Sequence, residues 1–219
     1  MVTYNEIRKD KDVKAYIAAG NDVLEAIGYT EHGLAHCTLV AETAAKTLAD
    51  LGYDERTCEL AKIAGFMHDI GNMINRNNHA MSGAILTLEI LKNRGMPADE
   101  AAAVATAIGH HDEPTAAAVS PIAAALILAD KSDVRSTRVR DKKTIALDIH
   151  DRVNYAVHKS TLAIDAEKKV ITLTLKINTD ISPVMDYFEI FLQRMKLCRE
   201  AAGFFGCGFC FVMNETRLL

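Results

Sequence analysis

The chain has 219 residues, 49% apolar and 25% charged, with 25 Lys+Arg against 29 Asp+Glu for a formal net charge of −4. These proportions fit one globular unit, or one domain with a small appendage, and exclude disorder and a coiled coil. The acidic balance disfavours general binding to DNA, to other nucleic-acid backbones or to an anionic membrane. No apolar run approaches the roughly 18 residues of a membrane span, and the start MVTYNEIRKDKDVK is too polar for a secretory signal, so a cytoplasmic protein is expected. Five cysteines, at positions 37, 58, 198, 207 and 210, are scattered and odd in number, which is not a disulfide framework.

From Asp12 to about Val153, apolar residues recur at three- and four-residue steps among strong helix formers, so this region is predicted to be all-helical. One helix is expected from His36 to Leu51, carrying Val40, Ala44 and Leu48 and stopped by Gly52. Asp54 caps the next, with Leu60, Ala61, Ala64 and Met67. Another spans about Met81 to Asn93, and Pro97 opens one that ends near Gly109. Ser120-Pro121, a cap followed by proline, starts a helix carrying Ile122, Leu126, Ile127 and Asp130.

After residue 153 the period changes. Ile171, Leu173, Leu175 and Ile177 alternate with Thr172, Thr174 and Lys176 as in a half-buried strand, and a partner strand is expected over Tyr155 to Ile164, with AEKK as the turn. Ser182-Pro183 begins a helix whose Val184, Phe188, Phe191, Leu192, Met195 and Cys198 form one apolar stripe, and GFCFVMN reads as a last strand. The expected fold is mainly α, residues 1–153 forming a helical domain and 154–219 a small β-β-α-β extension. Cys207 and Cys210 spell CxxC, but without a second pair or a nearby histidine they read as core residues of that strand.

Six of the eight histidines, at 32, 36, 68, 79, 110 and 111, fall within one stretch of the helical region. His68-Asp69, in GFMHDIGN at the end of an apolar helix, is costly to bury without partners, and imidazole with carboxylate suits iron, manganese, zinc or cobalt better than calcium. Ligands must converge from several helices. His150 and His158 stand outside this pattern and read as ordinary satisfied residues.

His36, the pair His68-Asp69 in HDIG, and Asp130 in ILADKSD resemble the H, HD, D signature of the HD-domain metal-dependent phosphohydrolases, over about residues 30 to 140. The resemblance extends to His79 in NHAMSG and to His110-His111, which look like the second-metal histidines of binuclear members. It implies an HD-domain helical bundle in which His36, His68, Asp69 and Asp130 hold one metal. Asp69 bridges to a second held by His79 and His110, with His111 as a further ligand. Iron or manganese is expected first, with zinc, cobalt, nickel or magnesium as alternatives. Asp69 is then catalytic, and a metal-bridged hydroxide attacks phosphorus. His32, four residues before His36, sits where some three-metal cyclic-dinucleotide phosphodiesterases carry a carboxylate, as a third-metal or supporting residue. Those enzymes follow the double histidine with GYP, whereas this chain continues HHDEPTAAAVSP, a departure from a cyclic-di-GMP substrate.

Asn72 stands where many HDIG proteins have a lysine that approaches the substrate phosphate. Arg76, or the basic stretch Lys131 to Lys143, replaces that cation, with Lys131 and Arg135 the expected phosphate contacts and Arg138 and Arg140 further candidates. The order NHAMSG, AIGHH, ADKSD is also similar to the HD domain of bacterial endoribonucleases that carry a KH domain, although no KH-type GxxG segment is visible. The expected activity is therefore hydrolysis of a nucleotide-like or short RNA phosphoester. The expected partners are a phosphorylated small molecule, nucleotide or RNA, with a homodimer as a further option. Two other readings stay open: a binuclear iron oxygenase of HD type, which uses a closely similar ligand set, and a nucleotide-sensing regulatory module.

Overall fold

The computed structural model describes residues 1–113, 115–140 and 149–219. Lys142 and Lys143 of the basic stretch lie outside the described residues. The helical part runs α1 (Tyr4–Lys9), α2 (Lys11–Ala26), α3 (Leu34–Asp50), α4 (Glu55–Met67), a 3-10 turn (Ile70–Met73), α5 (His79–Asn93), α6 (Ala98–Gly109) and α7 (Pro121–Ser132). The caps read from the sequence form: Asp54 accepts the Thr57 N–H at 3.0 Å and Ser120 the Ala123 N–H at 3.1 Å. Two helices begin two residues earlier than predicted, α3 at Leu34 and α5 at His79. Their N-caps, Gly33 and the left-handed Asn78 (φ 61°), make no side-chain cap bond, so no Ser, Thr or Asp marks either start. The shift places His36 and His79 in first helical turns.

The main core packs Val40, Ala44 and Leu48 of α3 against Ala61 and Ala64 of α4, with Leu91, Val104, Ile108 and Leu126 from the later helices. Small residues let α3 and α4 approach closely. A Cβ on Gly65 would lie 2.7 Å from the backbone of Ala41, closer than any side chain tolerates.

A short helix, α8 (Ile149–Ala156), leads directly into the extension: β1 (Val157–Asp165), β2 (Val170–Ile177), α9 (Val184–Phe204), β3 (Gly208–Met213) and β4 (Thr216–Arg217). The strand β1 starts at Val157 rather than Tyr155 because α8 continues to Ala156. Strands β1 and β2 pair antiparallel through the AEKK turn, where Lys169 has φ 51°. Strands β2 and β3 pair parallel, which requires the crossover that α9 supplies. The short β4, absent from the sequence expectation, pairs antiparallel with β3. Ile171, Leu173, Leu175 and Ile177 are buried as their alternation predicts, and with Tyr187, Phe191 and Phe211 they form a second core. That core also takes Ala124, Ile127 and Leu128 from α7, so α7 is apolar on all sides and buried between two cores. All five cysteines are free, Cys207 and Cys210 lying buried in and beside β3. Among the described residues, no helix is long and apolar enough to cross a membrane.

Candidate metal centre

Three helices end at the same place. His68 follows α4, His111 lies just beyond α6, and Asp130 is in the last turn of α7, while His36 and His79 come from the first turns of α3 and α5. The partial negative charge of three helix C-termini favours a cation there, against the opposing N-termini of α3 and α5 that His36 and His79 bring. Gly71 allows the 3-10 turn after Asp69 to touch α5: a Cβ there would lie 2.0 Å from the His79 carbonyl oxygen.

The ring orientations are set from behind. His68 Nδ1 donates to the Gly65 carbonyl (2.8 Å), His79 Nδ1 to that of Arg76 (3.1 Å) and His111 Nδ1 to that of Ile108 (2.6 Å), each three residues back. His36 Nδ1 donates to Asp133 Oδ2 at 2.8 Å. A carbonyl or carboxylate oxygen can only accept, so each Nδ1 carries the hydrogen and each Nε2 faces forward as the ligand atom. The forward atoms converge. His36 Nε2 and His68 Nε2 are 3.3 Å apart, and His79 Nε2 and His111 Nε2 are also 3.3 Å apart. Asp69 Oδ2 lies 3.2 Å from His68 Nε2, Asp69 Oδ1 3.4 Å from His79 Nε2, and Asp130 Oδ1 3.3 Å from His36 Nε2.

Among the described residues, three groups of ligand atoms are close enough to share an ion: His36, His68 and Asp130; His68, Asp69 and His111; and His79, His111 and Asp112. Asp69 Oδ2 is buried with no hydrogen-bond partner among the described residues. An orphaned carboxylate oxygen facing imidazole Nε2 atoms is what a metal ligand looks like, so the residues present fit a divalent cation. The electrostatics agree. Burial opposes ionisation of Asp69, yet His68 beside it holds its pKa well below the usual carboxylate range. Burial likewise opposes a charge on Asp130, and Lys131 with the His36 and His68 hydrogen bonds overcomes it. Burial disfavours the His68 imidazolium, but Asp69 and Asp130 outweigh it and raise its pKa to about 10. Burial, with His68 and Lys131 near it, drives His111 well below its ordinary value. The centre as a whole therefore calls for positive charge.

His36, His68, Asp69, His79, His111 and Asp130 are thus brought together. His110 is not: it caps α6 half-buried, its Nδ1 donates to the Thr106 carbonyl at 2.9 Å, and no converging group among the described residues includes it. The chain leaves α6 at this point, which turns His111, not His110, inward. His32 is buried edge-on to His36, its Nδ1 on the Thr30 carbonyl at 2.7 Å, and it too joins no converging group.

The two expected phosphate contacts have other partners. Lys131 is buried, its Nζ 2.7 Å from Asp130 Oδ2 and 3.0 Å from Glu113 Oε2. Arg135 forks onto Asp133 at 2.6 and 3.0 Å and lines a separate cavity of about 200 Å³ between α3 and β1. The physical reason is charge balance, since buried Asp130 and Asp133 each need a counterion. Arg138 is also structural, donating to the Glu31 and Asp133 carbonyls, while Arg140 binds Asn21, Glu25 and the Tyr29 carbonyl.

Asp133, Asp112 and Glu113 also border the centre, and no sequence expectation names them. The first had a readable signal, being one helical turn after Asp130 and so on the same side of the α7 end. Arg76 faces a cavity of about 500 Å³ beside the centre, its Nη1 3.4 Å from both His79 Nε2 and Asn72 Oδ1. That cavity is also lined by His32, by His150 of α8, which the sequence reading set aside, and by α9 of the extension.

Over 105 residues the chain is 30% identical to an uncharacterised protein of Methanocaldococcus jannaschii, the match covering 41% of this chain and 40% of that protein. The match therefore spans about two fifths of that relative's length. In structure it is similar to a predicted HD superfamily hydrolase from an uncultured Thermotogales bacterium, with TM-score 0.45 and 25% identity, over 57% of this chain and 68% of the other. The HD domain profile matches residues 33–156, more than half of the chain and all six converging residues, and the protein belongs to the HD domain family.

Proposed function

We propose that the protein is a metal-dependent phosphohydrolase that cleaves a phosphomonoester or phosphodiester in a nucleotide-like or short RNA substrate. The observation that carries this reading is the buried, unpartnered Oδ2 of Asp69 facing imidazoles whose Nδ1 atoms are all committed. In this reading His36, His68, Asp69 and Asp130 hold one divalent cation and Asp69, His79 and His111 a second, with iron or manganese suited to that mixture of donors. Cations bound there supply Lewis acidity toward a phosphoryl oxygen and lower the pKa of water.

The chain's own residues orient and charge the site. Asn72, in the place of a lysine, donates its Nδ2 hydrogen to Asp69 Oδ1 at 2.9 Å and so fixes the carboxylate rather than meeting a phosphate. The cation for the phosphate is then Arg76, which borders both the centre and the cavity. Its contacts with Asn72 and His79, both at 3.4 Å, and with Asp112 at 3.9 Å are long enough to yield to a stronger acceptor. Hydrolysis consumes one water, breaks one P–O bond and needs no protein nucleophile.

Elemental analysis of the purified protein, coupled to a screen of nucleotides, cyclic nucleotides and short RNAs with Mn or Fe supplied, tests the proposal. At least one transition metal per chain and metal-dependent release of phosphate or nucleotide are expected. Protein that neither holds metal nor gains activity on adding Mn or Fe would refute it. Asp69→Ala is expected to abolish metal-dependent turnover, while Cys207→Ser, remote in the β3 core, leaves it nearly intact.

A further inference from the structure

The cavity beside the metal centre is walled partly by the extension, and two of the cations facing it are mounted alike. Arg76 lies over the Tyr29 ring at 5.3 Å, and Arg194 of α9 lies over the Phe191 ring at 4.8 Å. An aromatic face holds a guanidinium plane in place while its N–H groups point outward along the edge. The Nε of Arg194 donates to Glu113 Oε1 at 2.9 Å, and among the described residues its two Nη groups have no hydrogen-bond partner. Glu113 also meets Lys131 at 3.0 Å, and it is the Nη edge of Arg194, not its Nε, that is left to meet the cavity.

The two arginines differ in their distance from the chemistry. Arg76 touches His79 directly, whereas Arg194 reaches the centre only through the chain Glu113, Lys131, Asp130. A cavity of about 500 Å³ lies within the roughly 300–1,000 Å³ of small-molecule sites, more than one phosphate fills.

We infer that Arg194 is a specificity-determining residue that receives a second phosphate: the substrate is a nucleotide ester whose scissile phosphate lies at the metal centre beside Arg76 and whose other phosphate lies on Arg194. The inference deepens the phosphohydrolase reading and rests on it. It gives the extension a role in the reaction, because α9 then supplies half of the recognition.

The test uses the full chain loaded with Mn and two dinucleotides that differ only in a 5′ phosphate, pApA and ApA. A charge-assisted contact to that phosphate makes the wild-type KM about tenfold lower for pApA. Arg194→Gln removes the preference and Arg194→Lys retains part of it, with circular dichroism and metal content confirming that each variant is folded. Equal KM values in the wild type overturn the inference whatever becomes of the variants, and so does an Arg194→Gln protein that keeps the preference. Should neither dinucleotide nor any other phosphoester be hydrolysed, the hydrolase reading fails, and calorimetric titration of pApA and ApA then decides the role of Arg194 separately. Preferential binding of pApA that is lost in Arg194→Gln supports it; equal affinities refute it.

Discussion

Asp133 is bound on both sides, accepting from His36 Nδ1 at 2.8 Å and from Arg135 Nε at 2.6 Å. Burial resists its ionisation, and the His36 and Arg135 hydrogen bonds hold its pKa well below the usual carboxylate range. A fixed anion behind His36 keeps the imidazole in the tautomer that presents Nε2 and makes it a stronger donor, so Asp133→Asn is expected to weaken metal affinity about 10–100-fold. Competition against a chromophoric chelator measures this, and unchanged affinity would remove Asp133 from the site. Gly71→Ala must displace the His79 carbonyl, 2.0 Å from the added Cβ. It should lower stability by about 1–3 kcal/mol in thermal unfolding and reduce the metal retained by the His79 and His111 side of the centre. His36, His68, Asp69 and Asp130 are legible in the sequence because their order is a signature. The choice of His111 over His110 is not, since adjacent residues point apart and only the exit of the chain from α6 decides which one turns inward.

At the scale of elements, helix ends carry both the site and much of the electrostatics. Asp10 caps α2 by accepting the Asp12 and Val13 N–H groups and also pairs with Arg94 just beyond α5. The Arg94 hydrogen bond lowers its pKa against the effect of burial. Its contribution is therefore complete above the unfolded-state carboxylate value near 4 and is lost as pH falls through the lower folded value. Asp10→Asn, which keeps a capping oxygen but not the charge, should cost about 1 kcal/mol at pH 6 and progressively less as pH falls below the unfolded-state value in urea unfolding. A deficit that does not change with pH would show that the ion pair contributes nothing. The capped helix starts at Asp54 and Ser120 are readable in sequence. The starts of α3 and α5 are not, because Gly33 and Asn78 make no side-chain cap bond.

Over the whole molecule, α7 decides cooperativity. One side packs Ile122 and Leu126 into the helical core, and the other packs Ile127 and Leu128 against the extension. Neither core closes without it, so calorimetry of the full chain should show a single unfolding transition, raised by added metal by about 2.7 kcal/mol at a hundredfold excess over Kd. Two separated transitions would show that the extension folds as its own unit. Removing residues 154–219 should expose Ile127 and Leu128 and give insoluble or unfolded protein.

By itself the sequence determined the mainly helical class, the change to a two-residue period after residue 153, and the histidines and aspartates able to hold metal. Each of these is a local pattern or an ordered motif, written in spacing along one chain. Only the tertiary structure decided which charges serve the site. Lys131 and Arg135 lie beside Asp130 in sequence, yet the cost of burying unpaired carboxylates draws them onto Asp130, Glu113 and Asp133. Arg76 and Arg194, far apart in sequence, line one cavity because α9 packs across the end of the helical bundle.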